Sequence, residues 1–333
     1  MDEEKFQIDP NDVRMFSGRS NPALAKKIAK LLHIPLAETH FSRFSNDNLF
    51  VQLGASVRGR SVYLVQSLTP PVSDHLVELL MMLDIAKSAA AREVHAIIPY
   101  FSYARSDKKD APRISITARL VADLLSTAGA THIMTMQLHA PQVHGFFSLP
   151  TDPLTARGLF AEYIRNKPYN PDDTVVVAPD VGSAKSAGRF ADMLGLPVAA
   201  ANKTRLSDKK VKIGGLLGRQ VKGFKRALIH DDEIATGGTI VELSGLLIEK
   251  GIEEICVICT HGLFLGKALQ KLAAIPQIKN IVTTDTVPLS RERKLPNMTI
   301  LSTAPVFAGA IQQNYFRRSI GDLFDFGVKS DAE

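Results

Sequence analysis

The stretch RALIHDDEIATGGTIVEL, residues 226–243, joins an apolar run, two adjacent carboxylates, a Thr-Gly-Gly-Thr turn and the start of a helical pattern. Glycine permits positive φ and lets a ligand approach the backbone closely. Successive N–H groups in such a turn form a concave anion site. The helix N-terminus adds unpaired donors and partial positive charge. Thr236, Gly237, Gly238 and Thr239 therefore read as a phosphate cradle, with Thr239 as the expected N-cap. Asp231 and Asp232 cannot serve the phosphate, because like charges repel. They suit sugar hydroxyls or magnesium, so carboxylate pair and cradle together point to a sugar phosphate.

Other polar residues follow apolar runs. NKTRLSDKKVK, after LPVAAA, is a basic stretch carrying Lys203 and Arg205. A mobile cationic arm of this kind can close on a polyphosphate, stabilise its charge and exclude water. Arg105 lies in YARSDKKD, and arginine binds phosphate as a rigid fork. His139 and Asp180 end the runs HIMTMQL and TVVVAPD; a histidine in such a place is more often structural than catalytic. Cys256 and Cys259 form a CxxC within a strand-like run. Strand side chains alternate faces, so the two thiols are expected to point apart and to share neither a metal nor a disulfide. GLFLGKA, residues 262–268, falls one residue short of a P-loop and lacks its hydroxyl residue, and no GxGxxG follows a strand.

Alternating elements must position these groups. Strands are expected at 61–67, 93–101, 132–138, 174–180, 226–232, 254–262 and 280–286. Helical periods occupy 21–32, 75–91, 115–128, 183–195 and 239–250. The order argues for α/β domains with mainly parallel sheets. Residues 62–101 and 226–264 share the order strand, loop, helix, strand, and Val-Glu-Leu opens both helical segments. We read this as a duplication. The domains are expected at 1–152 and 153–308, with 309–333 packing back on the first. In open α/β sheets, ligands bind beyond the carboxyl ends of the strands.

The chain has 333 residues, 45% of them hydrophobic and 22% charged, enough apolar surface to exclude a mostly disordered protein. The richest apolar stretch, LVELLMMLDIAKSAAA, is interrupted by Glu78, Asp84 and Lys87, so no membrane span is expected. The net charge of +6 suits an anionic small substrate. Nucleic-acid binding has little support, since tryptophan is absent and no basic cluster interleaves with aromatics. The acidic start MDEEKFQIDPND lacks the marks of a signal peptide, and with two cysteines a reducing cytoplasm is expected.

HDDEIATGGT resembles the ribose 5-phosphate loop of phosphoribosyl pyrophosphate (PRPP) synthetases, or ribose-phosphate diphosphokinases. The resemblance continues through MFSGRSNPALAKKIA (15–29), RFSNDN (43–48), SVRG (56–59), IPYFSYARSDKKD (98–110), QLHAPQVHGFF (137–147), APDVGSAK (178–185) and NKTR (202–205). It implies two phosphoribosyltransferase-type α/β domains related by duplication, and transfer of the β,γ-diphosphoryl group of ATP to ribose 5-phosphate with Mg2+. It implies catalytic roles for Lys203 and Arg205. ATP would be bound by Phe44, Asn46, Asp47, Asn48, Arg105, Ser106 and His139. Ribose 5-phosphate would be bound by Asp231, Asp232, Ala235, Thr236, Gly237, Gly238 and Thr239. His139 and Asp180 would hold the metal. It further implies a homo-oligomer, hexameric or built from dimers, in which the 44–48 loop reaches a neighbour's site.

Four positions depart from the family pattern. Ser106 stands for glutamine, Gln137 for aspartate, Asn48 for glutamate and Ala235 for an acidic residue. Glu233 is the nearest substitute for the last. These departures motivate two alternatives: a catalytically silent paralogue that regulates an active synthetase, and a diphosphokinase with another donor or sugar phosphate.

Overall fold

The computed structural model describes residues 7–207, 210–218 and 221–321; the side chains of 203–220 lie outside that description. The chain divides into two compact units. The first holds the chain up to Thr155, Thr286–Pro288 and the segment from Ser302; the second holds Ala156–Asp285 and Leu289–Leu301.

In the first unit the order is β1 (Val13–Ser17), α1 (Pro22–Leu31), β2 (Leu36–Ala37), β3 (Thr39–Arg43), β4 (Leu49–Leu53), β5 (Ser61–Val65), α2 (Val72–Ser88), β6 (Glu93–Ile98), α3 (Thr117–Ala128), β7 (His132–Met136) and β8 (Thr151–Leu154). A parallel sheet runs β2-β1-β5-β6-β7-β8, and β3 and β4 form a separate antiparallel hairpin. β5 and β7 are buried along their whole length, as strands covered on both faces must be. α1 starts where Asn21 accepts the Leu24 N–H at 3.3 Å and Pro22 takes the first turn.

The second unit follows with α4 (Arg157–Arg165), β9 (Thr174–Ala178), α5 (Ala184–Leu194), β10 (Val198–Ser207), β11 (Lys210–Gly218), β12 (Arg226–Ile234), α6 (Gly238–Glu249), β13 (Glu254–Gly262), α7 (Ala268–Ala273), β14 (Ile278–Thr284) and β15 (Met298–Leu301). Its sheet runs β11-β10-β9-β12-β13-β14-β15, parallel except where β11 turns back on β10. α8 (Ala304–Tyr315) belongs to the first unit and packs on α1.

The α/β class and the duplication hold. Leaving out β3, β4 and β11, the sheets share one order: the second strand lies outside the first, and the third to sixth follow on the other side. The extra hairpin segments fall at the same point in each unit, between the second and third sheet strands. The Val-Glu-Leu triplet is not part of that symmetry. α2 begins at Val72, so Val77 is its sixth residue, whereas Val241 is the fourth of α6. Cys256 and Cys259 lie on β13, free and buried, and burial pushes the Cys256 thiol up to about 12. Among the described residues no helix is long and apolar enough to cross a membrane.

Candidate active site

β12 runs two residues further than expected, past Asp231 and Asp232, and pairs in parallel with β13, with Asp231 opposite Cys259. Their carboxylates are partly buried, and the Asp232 N–H donates to Asp231 Oδ1 at 2.9 Å. Burial, then the neighbouring Asp232 carboxylate, push Asp231 well above the usual carboxylate range, and Asp180 adds to the repulsion. The second unit thus gathers three carboxylates, Asp180 beyond the end of β9 and Asp231 and Asp232 near the carboxyl end of β12.

The cradle follows directly. Gly237 occupies the cap position of α6 at φ 72°, a conformation that costs glycine little. Thr239 is therefore not the cap; it is the second residue of the helix. Gly238 and Thr236 are exposed. The loop is braced by residues 263–265, within the segment whose spacing falls one residue short of a P-loop. The Leu263 and Phe264 N–H groups donate to the Ile234 carbonyl at 3.1 Å, and Leu265 N–H donates to Ala235 at 2.7 Å. Phe264 is fully buried, at φ 47°, and the Arg293 guanidinium donates to its carbonyl. A Cβ on Gly262 would lie 2.3 Å from the Phe264 ring. Gly262, the last residue of β13, is a sign of this close approach, though not of the main-chain bonds that make the brace.

Asp180 caps the turn into α5. Its Oδ1 accepts the Ser183 N–H at 2.9 Å, and Ser183 Oγ donates to the Asp180 carbonyl at 3.0 Å. Lys203 and Arg205 fall on β10, where the backbone pairs antiparallel with β11, opposite Ile213 and Val211; their side chains lie outside the described residues. The expected mobile arm thus has a strand backbone.

In the first unit, Phe44, Asn46, Asp47 and Asn48 form the exposed tip between β3 and β4. Phe44 N–H donates to the Asn48 carbonyl at 2.9 Å, Asp47 takes φ 67°, and Arg43 donates to Asp47 Oδ1 at 2.8 Å. Phe44 meets Phe50 edge-on and keeps 57% of its surface exposed. Arg105, exposed, ends a short 3-10 turn beyond β6. Ser106 Oγ donates to the Ser115 carbonyl and accepts the Thr117 N–H, each at 3.3 Å, tying this loop to the start of α3. His139 is exposed beyond β7. Gln137 is buried at φ 40° and accepts the Thr155 hydroxyl at 3.2 Å. Among the described residues no group of three or more His, Cys, Asp or Glu side chains is arranged as a metal cage.

Residues 13–129 match the model of the N-terminal domain of ribose phosphate pyrophosphokinase, and residues 153–280 match the phosphoribosyl transferase domain. A ribose-phosphate pyrophosphokinase of Caldanaerobacter subterraneus subsp. tengcongensis is 43% identical over 94% of this chain and 98% of its own. The chain belongs to the ribose-phosphate pyrophosphokinase family. Another member, from Rhodopirellula baltica, is 42% identical over 94% of this chain and 98% of its own. The crystal structure of phosphoribosylpyrophosphate synthetase from Mycobacterium smegmatis matches with a TM-score of 0.85 and 37% identity, covering 92% of this chain and 99% of that one. The family implied by the loops is therefore the family shown by the whole chain.

Proposed function

We propose that this chain is a ribose-phosphate diphosphokinase: the anomeric hydroxyl of ribose 5-phosphate attacks the β-phosphorus of ATP, pyrophosphate is transferred and AMP leaves. The observation that carries the reading is the join of β12 to α6. Two carboxylates there precede a left-handed glycine at a helix N-terminus. The N–H groups of 237–239 and the threonine hydroxyls hold the sugar's phosphate. Asp231 and Asp232 accept from its hydroxyls and orient the attacking one. Phosphoryl chemistry needs in-line placement and charge neutralisation more than a covalent nucleophile. Lys203 and Arg205 supply positive charge to the transferred group, and Arg105 grips phosphate oxygens of the nucleotide. Phe44 offers a ring to the base, with Asn46, Asp47, Asn48 and Ser106 lining the same nucleotide site. Ala235 contributes its backbone, which Leu265 holds in place.

The residues fit Mg2+. Asp180 offers hard oxygen donors, His139 is exposed, and Mg2+ keeps several waters and few protein ligands, so no all-protein cage is required. Asp180 and His139 would hold it; when bound, it neutralises polyphosphate charge. The reading includes a homo-oligomer, supported by the exposed Phe44 at the β3–β4 tip, and a cytoplasmic setting, in keeping with two free cysteines. Phosphorus NMR of the pure protein with ATP, ribose 5-phosphate and Mg2+ tests it. PRPP and AMP are expected. Product only with another donor or sugar phosphate, or none with any, would overturn the assignment.

A further inference from the structure

A line of polar side chains crosses the amino-terminal edge of the first unit's sheet, away from the carboxyl ends that lead to Arg105 and His139. Asp12 holds Arg92 with contacts of 2.8 and 3.0 Å. Arg92 donates to Ser61 Oγ at 2.9 Å, and Ser61 donates to Glu93 Oε2 at 3.0 Å. At the other end, His95 Nδ1 meets His132 Nδ1 at 3.0 Å, and His132 Nε2 meets Asp152 Oδ2 at 2.8 Å. Between the halves one link is open. Glu93 Oε2 and His95 Nε2 stand 3.6 Å apart, and His95 Nε2 is buried without a hydrogen-bond partner.

The proton count explains the opening. Two neutral imidazoles carry two ring protons. One must lie between the two Nδ1 atoms, since both cannot accept. The second belongs where two acceptors would otherwise collide most closely, and that is the 2.8 Å contact of His132 with Asp152. His95 Nε2 is then a bare lone pair facing a carboxylate. His95 Nε2 is itself buried, and a separation of 3.6 Å leaves no room for a heavy atom between the two groups. Only a proton fits there.

We propose that Glu93, His95, His132 and Asp152 form a proton-operated catch: the histidine pair takes up one proton, seated at His95 Nε2, which closes the gap to Glu93 and completes a hydrogen-bonded line from β1 to β8. The added charge belongs to the pair, because the proton between the Nδ1 atoms can be assigned to either ring. The groups facing the catch are Ser61 and Tyr63 on β5, Arg92 before β6, and Asn314 and Arg318 in and after α8. Tyr63 stacks on His95 with ring centres 4.5 Å apart, a face that welcomes an imidazolium. Its hydroxyl meets Asn314 Oδ1 at 3.5 Å. Asn314, Arg318 and Ile320 wall a cavity of about 410 Å³ together with the four catch residues. Burial first of all lowers the His95 pKa and His132 lowers it further, while Glu93 draws it back up. The catch is therefore open at neutral pH and closes on acidification.

Long-range nitrogen–proton NMR of the imidazoles tests this on the full chain. At pH 8, His95 Nε2 is expected to show the shift of an unprotonated nitrogen and His132 Nε2 that of a protonated one. As pH falls, the pair takes up one proton with the large change at His95 Nε2. Glu93→Gln, at a half-exposed side chain, removes the waiting carboxylate and should lower that midpoint by about one pH unit. A proton already on His95 Nε2 at pH 8, or a midpoint unmoved by Glu93→Gln, would overturn the proposal.

Discussion

Gly237 carries more of the cradle than either threonine. At φ 72° it turns the chain so that the first-turn N–H groups of α6 face the loop. A Cβ there would meet Ala268 at 3.6 Å, an ordinary contact, so Gly237→Ala suffers from conformation and not from crowding. The cost of a left-handed alanine is about 1–2 kcal/mol. If the backbone relaxes to avoid it, the N–H groups swing off the phosphate. We expect Gly237→Ala to raise KM for ribose 5-phosphate at least ~10-fold, because one or two charge-assisted hydrogen bonds are lost. KM for ATP should stay near its starting value; steady-state kinetics with each substrate varied decides. Lys203→Ala should instead act on kcat, by ~10³-fold, since removing a single charge aimed at a transition state has effects of that order. Binding of ribose 5-phosphate, followed calorimetrically, should survive. A kcat within a factor of three would remove Lys203 from the machinery. At Ser106 the short side chain has local work: its hydroxyl ties the 105–107 loop to α3.

The β12–α6 join depends on the turn after β13. The Ile234 and Ala235 carbonyls are held by the N–H groups of Leu263, Phe264 and Leu265, and Phe264 is locked into the core. Gly262→Ala would set a methyl 2.3 Å from the Phe264 ring and 2.6 Å from Thr283 Oγ1. Overpacking of this sort costs about 1–3 kcal/mol. We expect a lower Tm together with a raised KM for ribose 5-phosphate, although residue 262 touches no substrate. An unchanged KM beside a lowered Tm would show that the brace is structural only. This brace was not legible in the sequence, because it is made by main-chain bonds between segments thirty residues apart. What was legible follows one rule. Strands buried on both faces, such as SVYLV and TVVVA, read as β-branched runs, and the helices between them keep their period. The two-residue β2, the proline-containing β8 and the exposed β3–β4 hairpin offer no such run, so their pairing is invisible before folding. The pairing of the basic stretch on β10 with β11 was not legible, because its charges hide the alternation of a strand. The helix start at Val72 was missed because α2 opens after a Pro-Pro pair without a side-chain cap.

At the scale of the whole molecule, buried histidines set the response to acid. His230 lies in the second unit, 2% exposed, stacked on Phe190 at 4.7 Å and edge-on to Phe160 at 6.3 Å. Neither ring nitrogen has a hydrogen-bond partner. Burial first, then the Arg157 charge, push its pKa down to about 4. In the unfolded chain it titrates near 6.5, so the unfolded state binds the extra proton between 6.5 and 4. Stability from this group is full above 6.5, falls across that window and levels off below 4, by up to about 3 kcal/mol. His95 in the first unit shifts in the same direction. Glu93 behaves oppositely in charge: once acidification has protonated His95, that ring and Ser61 hold Glu93 down at about 2, so its contribution is lost only as pH falls from 4.5 through 2. The two windows adjoin, and stability should decline without a plateau from mildly acidic conditions downward. His230→Leu replaces the orphaned ring with an apolar side chain of similar volume. It should stabilise the second unit by about 1–2 kcal/mol at pH 7, because two unpaired polar atoms leave the core. The gain should be smallest at pH 7 and grow toward pH 4.5, where the wild type must expel a proton to fold. Urea titrations by circular dichroism at pH 7, 5.5 and 4.5 measure this. The variant keeps the shallower slope that His95 imposes, so the two curves should diverge as pH falls; parallel curves would mean that His230 is protonated or paired in the folded chain.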